Sequence, residues 1–380
     1  MSLSHMAHHF RRGPRVRAVL AAAGTAFFGL AAMPAPAAAV VHGGSVGSCA
    51  ICHLMHDAAT GQIALDGSRP LLAAESSTDL CLTCHGRGNG VFGATPMAPP
   101  TEYGAGNFTW LLEDNLNDGA GSAIAGDAAG HCINSPDRGT GADSRWDRAP
   151  GGTFPSASLG CTSCHDPHGG GGYRMLHGPG PVQGGLAVFV YPAPVAEGLD
   201  ITNPGAGESP NRHTAYHAGM SLWCANCHGQ YHSEGSGSAF RHPVDDNLED
   251  DVRNRYNRYE GDANPRGGMT ATAYIPQVPF EGPATSTTGT DGPVATDRIM
   301  CLTCHRAHAS SAPAAGRWDF RLVRLVDDGV ASGSYPLPSP YPGNGQGQLC
   351  KKCHDEGHDE GRACLSCHGA TGESPFPMIR

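Results

Sequence analysis

Apolar residues rarely run on for long in this 380-residue chain. The longest stretch, Ala18–Met33, follows a cationic start at Arg11, Arg12, Arg15 and Arg17 and leads to Ala37-Ala38-Ala39. Charge, apolar run and Ala-x-Ala in that order read as a secretory signal over residues 1–39, removed on export. The run is short for spanning a bilayer, and Gly185–Val195, the next most apolar segment, is shorter still. Gly (54 residues) and Pro (30) make up about a fifth of the chain, near the level of low-complexity sequences. The pattern therefore predicts a mostly irregular chain with short helices and little sheet, and it marks no boundary inside 40–380. The gaps 85–161 and 228–301, rich in Gly, Pro, Asp and Asn, read as wrapping loops.

The net charge of −10 falls to −14 once the leader, with four Arg and no acid, is removed. That balance argues against a nucleic-acid binder, which needs a basic face. At 39% apolar and 7% aromatic residues, the polypeptide is short of core for its length. Something other than side chains should fill the interior.

The cysteines identify it. Fourteen of fifteen fall in seven Cys-x-x-Cys-His units: Cys49/Cys52/His53, Cys81/Cys84/His85, Cys161/Cys164/His165, Cys224/Cys227/His228, Cys301/Cys304/His305, Cys350/Cys353/His354 and Cys364/Cys367/His368. This is the attachment signature of c-type haem. One turn of backbone presents two sulfurs to the vinyl groups of one porphyrin, and the next residue offers its imidazole to the iron. A disulfide scaffold or a zinc site would not require His after every second Cys. The expectation is seven covalently bound haem c groups, with a polypeptide wrapped around a chain of them. The remaining Cys132 reads as a small buried residue beside His131. Only two lysines exist, Lys351 and Lys352, so haem propionates elsewhere must be met by Arg.

An iron with two protein ligands only passes electrons, whereas an open position can bind substrate. Beyond the leader and the seven proximal histidines, eleven remain for seven distal positions. His56, His168 and His308 follow a motif His by three, and His232 and His358 by four. Such a residue leaves the backbone beside the proximal ligand and cannot reach the far side of its own porphyrin. If it binds iron, it binds a neighbouring haem. For His131 and His242 spacing is silent, and His177, His213 and His217 read as surface residues. No motif ends in Lys, and the surplus of His forces no vacancy, so a reductase acting on nitrite, hydroxylamine or a sulfur oxyanion is the weakest reading.

Several segments, taken in order, resemble one family. They are His42 to His56, Ala149–Pro155, Cys161–Gly169, Gly219–His228, Arg241–Pro243 and Cys301–Ser310. They are similar to the outer-membrane S-type cytochromes, hexahaem proteins of metal-reducing bacteria. The resemblance implies an extracellular electron-transfer protein, not an enzyme, that polymerises head to tail around a continuous column of bis-histidine haems. It implies that His56 donates across the subunit boundary to a haem of the next protomer. His131, His168, His232, His242 and His308 match family histidines and are the distal candidates within the protomer, with His42 in reserve. Upstream outer-membrane or periplasmic cytochromes and extracellular acceptors would be its partners. The seventh motif, in Asp355–Arg380, departs from the family pattern, and His358 is its distal candidate on local spacing alone. A monomeric periplasmic electron carrier is the alternative.

Overall fold

The computed structural model describes residues 49–54, 72–88, 90–93, 104–114, 125–169, 172–199, 207–232, 244–320, 340–341 and 347–354. All belong to one compact unit, Ala38–Arg380. Irregular backbone dominates the described residues, as the Gly and Pro content predicts. Their helices are α1 (Cys49–Cys52), α2 (Ser77–His85), α3 (Cys161–Cys164), α4 (Met220–His232), α5 (Asp250–Arg258) and α6 (Gly347–Cys350). Two antiparallel strand pairs supply the sheet: β1 (Gly180–Val182) with β2 (Ala187–Phe189), and β3 (Val195–Glu197) with β4 (Ala215–Ala218). No helix among the described residues is long and apolar enough to cross a membrane.

Every described α-helix except α5 carries cysteines of a Cys-x-x-Cys-His unit. The reason is local. In motifs 3, 5 and 6 the His amide donates back to the carbonyl of the first Cys, at 2.9, 3.0 and 3.0 Å, closing a single helical turn. A turn this short is marginal by itself, so its ends need partners. α2 obtains them from Ser76, whose Oγ accepts from the Asp79 amide (3.0 Å), and from Arg138. The Arg138 guanidinium donates to the Leu82 and Gly86 carbonyls (2.7 and 3.2 Å), placing a cation at the negative end of the helix.

α5 departs from the wrapping-loop expectation for 228–301. Asp250 and Asp251 sit in its first turn and Arg255 and Arg258 in its last, matching the helix dipole, and Tyr256 is buried beneath it. It packs on an aromatic cluster of Tyr256, Tyr274, Ile275, Val278, Phe280, Trp318 and Leu349. A second cluster joins Leu82, Phe92, Phe108, Trp110 and Ile133. A third, smaller one gathers Tyr216, Met220, Met300 and Leu302.

Candidate functional site

Motifs 2 to 5 are built as two copies of one unit, offset by about 140 residues along the chain. In the first, α2 packs on α3; in the second, α4 packs on the helical turn Cys301–Thr303. The leading amide of each receiving turn lacks a partner within that turn. The Cys161 amide donates instead to Thr78 Oγ1 (3.3 Å), and the Cys301 amide to Ser221 Oγ (2.8 Å). Thr78 and Ser221 each lie three residues before the first Cys of their own motif. Ser163 and Thr303, two residues after the first Cys, accept from the amides of Gly160 (3.0 Å) and Met300 (3.1 Å). Gly160 is small of necessity, since a Cβ there would lie 2.4 Å from Thr78 Oγ1. The thiols Cys81 and Cys161 come within hydrogen-bonding reach of each other, as do Cys224 and Cys301.

The loop after each receiving motif also repeats. The Asp166 and Arg306 amides donate to the Met175 and Ala315 carbonyls, at 2.7 and 2.6 Å. Arg174 and Met175, like Ala314 and Ala315, adopt left-handed backbone, with φ of 51°, 57°, 55° and 53°. This turns a carbonyl towards the proximal imidazole: His165 Nδ1 faces the Arg174 oxygen (2.8 Å) and His305 Nδ1 the Ala314 oxygen (2.9 Å). His228 Nδ1 faces the Pro150 oxygen (2.7 Å), and His131 Nδ1 the Ala307 oxygen (2.7 Å). A nitrogen opposite a carbonyl must carry the proton, so each ring keeps Nε2 as its lone-pair donor. That is the tautomer and second-shell support of a metal-ligating histidine.

Three pairs of imidazoles come together from distant parts of the chain. His53 and His168 have ring centres 6.2 Å apart and planes within 7° of parallel. The His165–His308 separation is 6.4 Å and the His131–His228 separation 5.9 Å. A metal–nitrogen bond of about 2.0 Å, plus about 1.1 Å to each ring centre, places two imidazoles on one metal about 6.2 Å apart. The donor set therefore fits an iron porphyrin held on both faces. Desolvation adds to the fit: burial pushes the pKa of His228 down to about 4 and that of His308 to about 3, and it lowers His131, His165 and His305 as well. Neutral imidazole, the form that binds metal, is the form these sites favour.

The pairs have an order. His168, beside motif 3, meets the proximal His of motif 1; His308, beside motif 5, meets that of motif 3. A histidine three residues past a motif thus reaches the haem position two motifs earlier. Thiol contacts join motif 2 to 3 and 4 to 5, and Cys164 lies within electrostatic range of Cys227. Cys304 and Cys353, of motifs 5 and 6, pack against the same aromatic cluster.

Cys84 stands apart from most of the other motif cysteines. Its thiol is exposed, as is that of Cys52, whereas the described side chains of the other motif cysteines are partly covered. The reason is the phase of α2. Thr78, Asp79 and Leu82 form its buried face, and at 100° per residue Cys84 lies 200° round from Leu82. Cys84 Sγ accepts from the Thr83 hydroxyl at 3.8 Å, a contact that faces solvent, and His85 beside it is exposed too. The two cysteines of motif 2 are thus placed unlike each other, Cys81 against α3 and Cys84 at the surface.

Three further histidines have partners of their own. His232 Nε2 is paired with Asp245 at 2.5 Å. His177 turns its Nε2 to the Thr162 carbonyl (3.0 Å). His213 is not a surface residue: it is 1% exposed, faces the Thr214 and Gly289 carbonyls with its two ring nitrogens, and stacks on Tyr274 at 3.7 Å. Cys132 is buried as expected, and burial raises its thiol pKa to about 12. His42, His56, His242, His358, Cys364, Cys367 and His368 lie outside the described residues, and Cys49 is described only in its backbone. The hydroxyls of Thr78, Ser221, Ser163 and Thr303 were not anticipated. Their signal is the Ser or Thr that recurs three before and two after the first Cys.

No protein-family model matches the chain. The c-type cytochrome OmcS of Geobacter sulfurreducens is 28% identical over 85% of this chain and 95% of its own length. Two solved structures, the Outer Membrane Cytochrome S filament and the OmcS nanowires of the same organism, match with a TM-score of 0.63. Each is 25% identical and covers 81% of this chain and 98% of its own. In sequence and fold, over most of its length, the chain is similar to the c-type cytochrome OmcS.

Proposed function

We propose that the mature chain, 40–380 after loss of a 1–39 leader, is an extracellular cytochrome that polymerises head to tail into a conductive filament. It carries covalently attached haem c, seven groups by motif count, and passes electrons to extracellular acceptors such as metal oxides or partner cells. Upstream outer-membrane or periplasmic cytochromes supply them. The observation that carries the reading is the step of two motifs in the imidazole pairs, His168 with His53 and His308 with His165. Continued backwards, the same step leaves His56, beside motif 1, with no earlier motif in its own chain. Its iron must then belong to another protomer. The OmcS structures, a filament and nanowires, support the same assembly.

When bound, haem supplies reversible one-electron chemistry at iron. The chain's own part is to anchor the porphyrin through the motif cysteines, Cys84 among them at the surface end of α2, and to hold the iron closed. His53, His85, His165, His228, His305, His354 and His368 are the proximal ligands. His131, His168 and His308 are distal ligands by their pairing; His56, His242 and His358, with His42 in reserve, complete the set. His232 joins it on releasing Asp245. Carbonyls at Nδ1 of His131, His165, His228 and His305 fix the orientation and tautomer of those rings. Histidines on both faces would leave no open position for substrate, so the chain would pass electrons without a turnover site. Head-to-tail contacts that do not close generate filaments, and a ligand bond across each joint adds strength.

Negative-stain electron microscopy of purified protein should show threads, and His56→Ala should break them into single units. Discrete particles under all conditions would instead establish the monomeric periplasmic carrier. Intact mass of the purified chain counts the haems, with seven expected and six excluding the C-terminal motif.

A further inference from the structure

The two copies of the two-motif unit share one feature that no ligand role explains. A hydroxyl three residues before the first Cys of the leading motif, Thr78 or Ser221, accepts the first Cys amide of the following motif. Both hydroxyl residues are buried, at 3% and 1% exposed. A second contact, between Ser77 Oγ and Thr162 Oγ1 at 3.1 Å, braces the first copy. In each copy these bonds sit at the base of the contact between the two leading thiols, Cys81 with Cys161 and Cys224 with Cys301. Each thiol is the anchor of one porphyrin edge. Whatever holds the two anchors together therefore holds two porphyrin edges together.

We infer that Thr78 and Ser221 are positioning residues that set the mutual approach of the haems of motifs 2 and 3 and of motifs 4 and 5. The inference rests on the haem reading above but not on filament formation. The physics is that of an orphan amide. The receiving turn has no side-chain cap on its leading residue, Gly160 or Met300, so the first Cys amide must find its acceptor across the helix pair. Removing the acceptor leaves a partly buried donor unpaired and frees the turn to slide relative to its neighbour. Both anchors stay covalently intact while their spacing relaxes.

The test compares Ser221→Ala with Ser221→Thr, and Thr78→Val with Thr78→Ser, in full-length holoprotein. The readout is the bisignate Soret circular dichroism produced by excitonic coupling between adjacent haems. It depends steeply on their spacing and mutual orientation. Each hydroxyl-deleting variant should lose about half of the pair-derived signal and the double variant nearly all, as expected for separate, additive sites. The hydroxyl-retaining variants should restore it, with haem content and low-spin absorbance unchanged throughout. A parental couplet in both deleting variants at full haem content overturns the inference. So does an equal loss in the hydroxyl-retaining ones. The second module is read independently, so failure of one variant to mature leaves the other measurement standing. Failure of the haem reading itself would be visible beforehand, as an unmodified chain that is colourless and carries no thioether-linked mass.

Discussion

Two regions of this molecule are organised on different principles. Around motif 6 and α5 the chain builds an ordinary apolar core. Tyr256, Tyr274, Phe280 and Trp318 are 2–4% exposed, with edge-on ring contacts at 5.4–5.6 Å among these rings and Phe320. It even encloses a cation: Lys352 is 1% exposed, donates to the Tyr259 carbonyl (3.0 Å) and lies 4.6 Å from the Tyr256 ring centre. Burial there lowers its pKa to about 8. Around motifs 1, 3 and 4 imidazoles converge in pairs, and the order comes from backbone hydrogen bonds to Nδ1 and from hydroxyl caps. Side-chain packing defines the first region. In the second, side chains define positions around a cofactor that supplies the packing. The lesson is that shortage of core in composition was an average over two unlike parts.

Packing substitutions and ligand substitutions should therefore separate. Trp318→Ala removes a nearly fully buried ring from the aromatic cluster and should cost about 3–5 kcal/mol in denaturant unfolding of the holoprotein. Its low-spin haem absorbance should be unchanged; a loss of that absorbance would erase the distinction between the regions.

His308→Ala should do the reverse on a smaller scale. One iron, that of His165, becomes five-coordinate, so the reduced protein should bind one equivalent of carbon monoxide per chain while the midpoint of unfolding moves little. Binding of none would show that His308 does not ligate.

Glu281 offers the finest discrimination. Its carboxylate is 1% exposed and accepts the Met220 amide (2.7 Å) at the start of α4, between the regions. Burial raises its pKa above the ordinary carboxylate range. The native state thus holds this proton more tightly than the unfolded chain. Its contribution is complete at acid pH and declines as pH rises from the ordinary value through the raised one. Glu281→Gln should remove that decline, so its melting temperature relative to the parent should rise from pH 4 towards neutrality. A constant difference across that range would mean that the group is not titrating.

The attachment motifs were legible residue by residue because covalent haem attachment demands a fixed spacing of two Cys and a His. The helical turns at the motifs and the scarcity of sheet followed from the same spacing and from Gly and Pro. Spacing did not tell which cysteines lie inside: Cys84 faces solvent because Leu82, not the motif, sets which side of α2 is buried. The direction in which His168 and His308 act was legible only as an exclusion: not their own porphyrin. The duplicated unit was nearly invisible. Cys161–His177 and Cys301–Arg317 share little beyond the motif and its third-residue His, yet they adopt one backbone path because Arg174, Met175, Ala314 and Ala315 all enter left-handed conformations. None is glycine, so no local residue preference announced it. His213 was misplaced for a related reason. A polar ring reads as exposed until the Thr214 and Gly289 carbonyls that satisfy it are known.

By itself the amino-acid order determined where the seven Cys-x-x-Cys-His units stand and that each closes a short turn, since such geometry acts over a few residues. Only the tertiary structure decided which imidazole faces which. His53 meets His168 and His131 meets His228 across 115 and 97 positions. Pairing at that range is chosen by the packing of whole segments, to which no local spacing is sensitive.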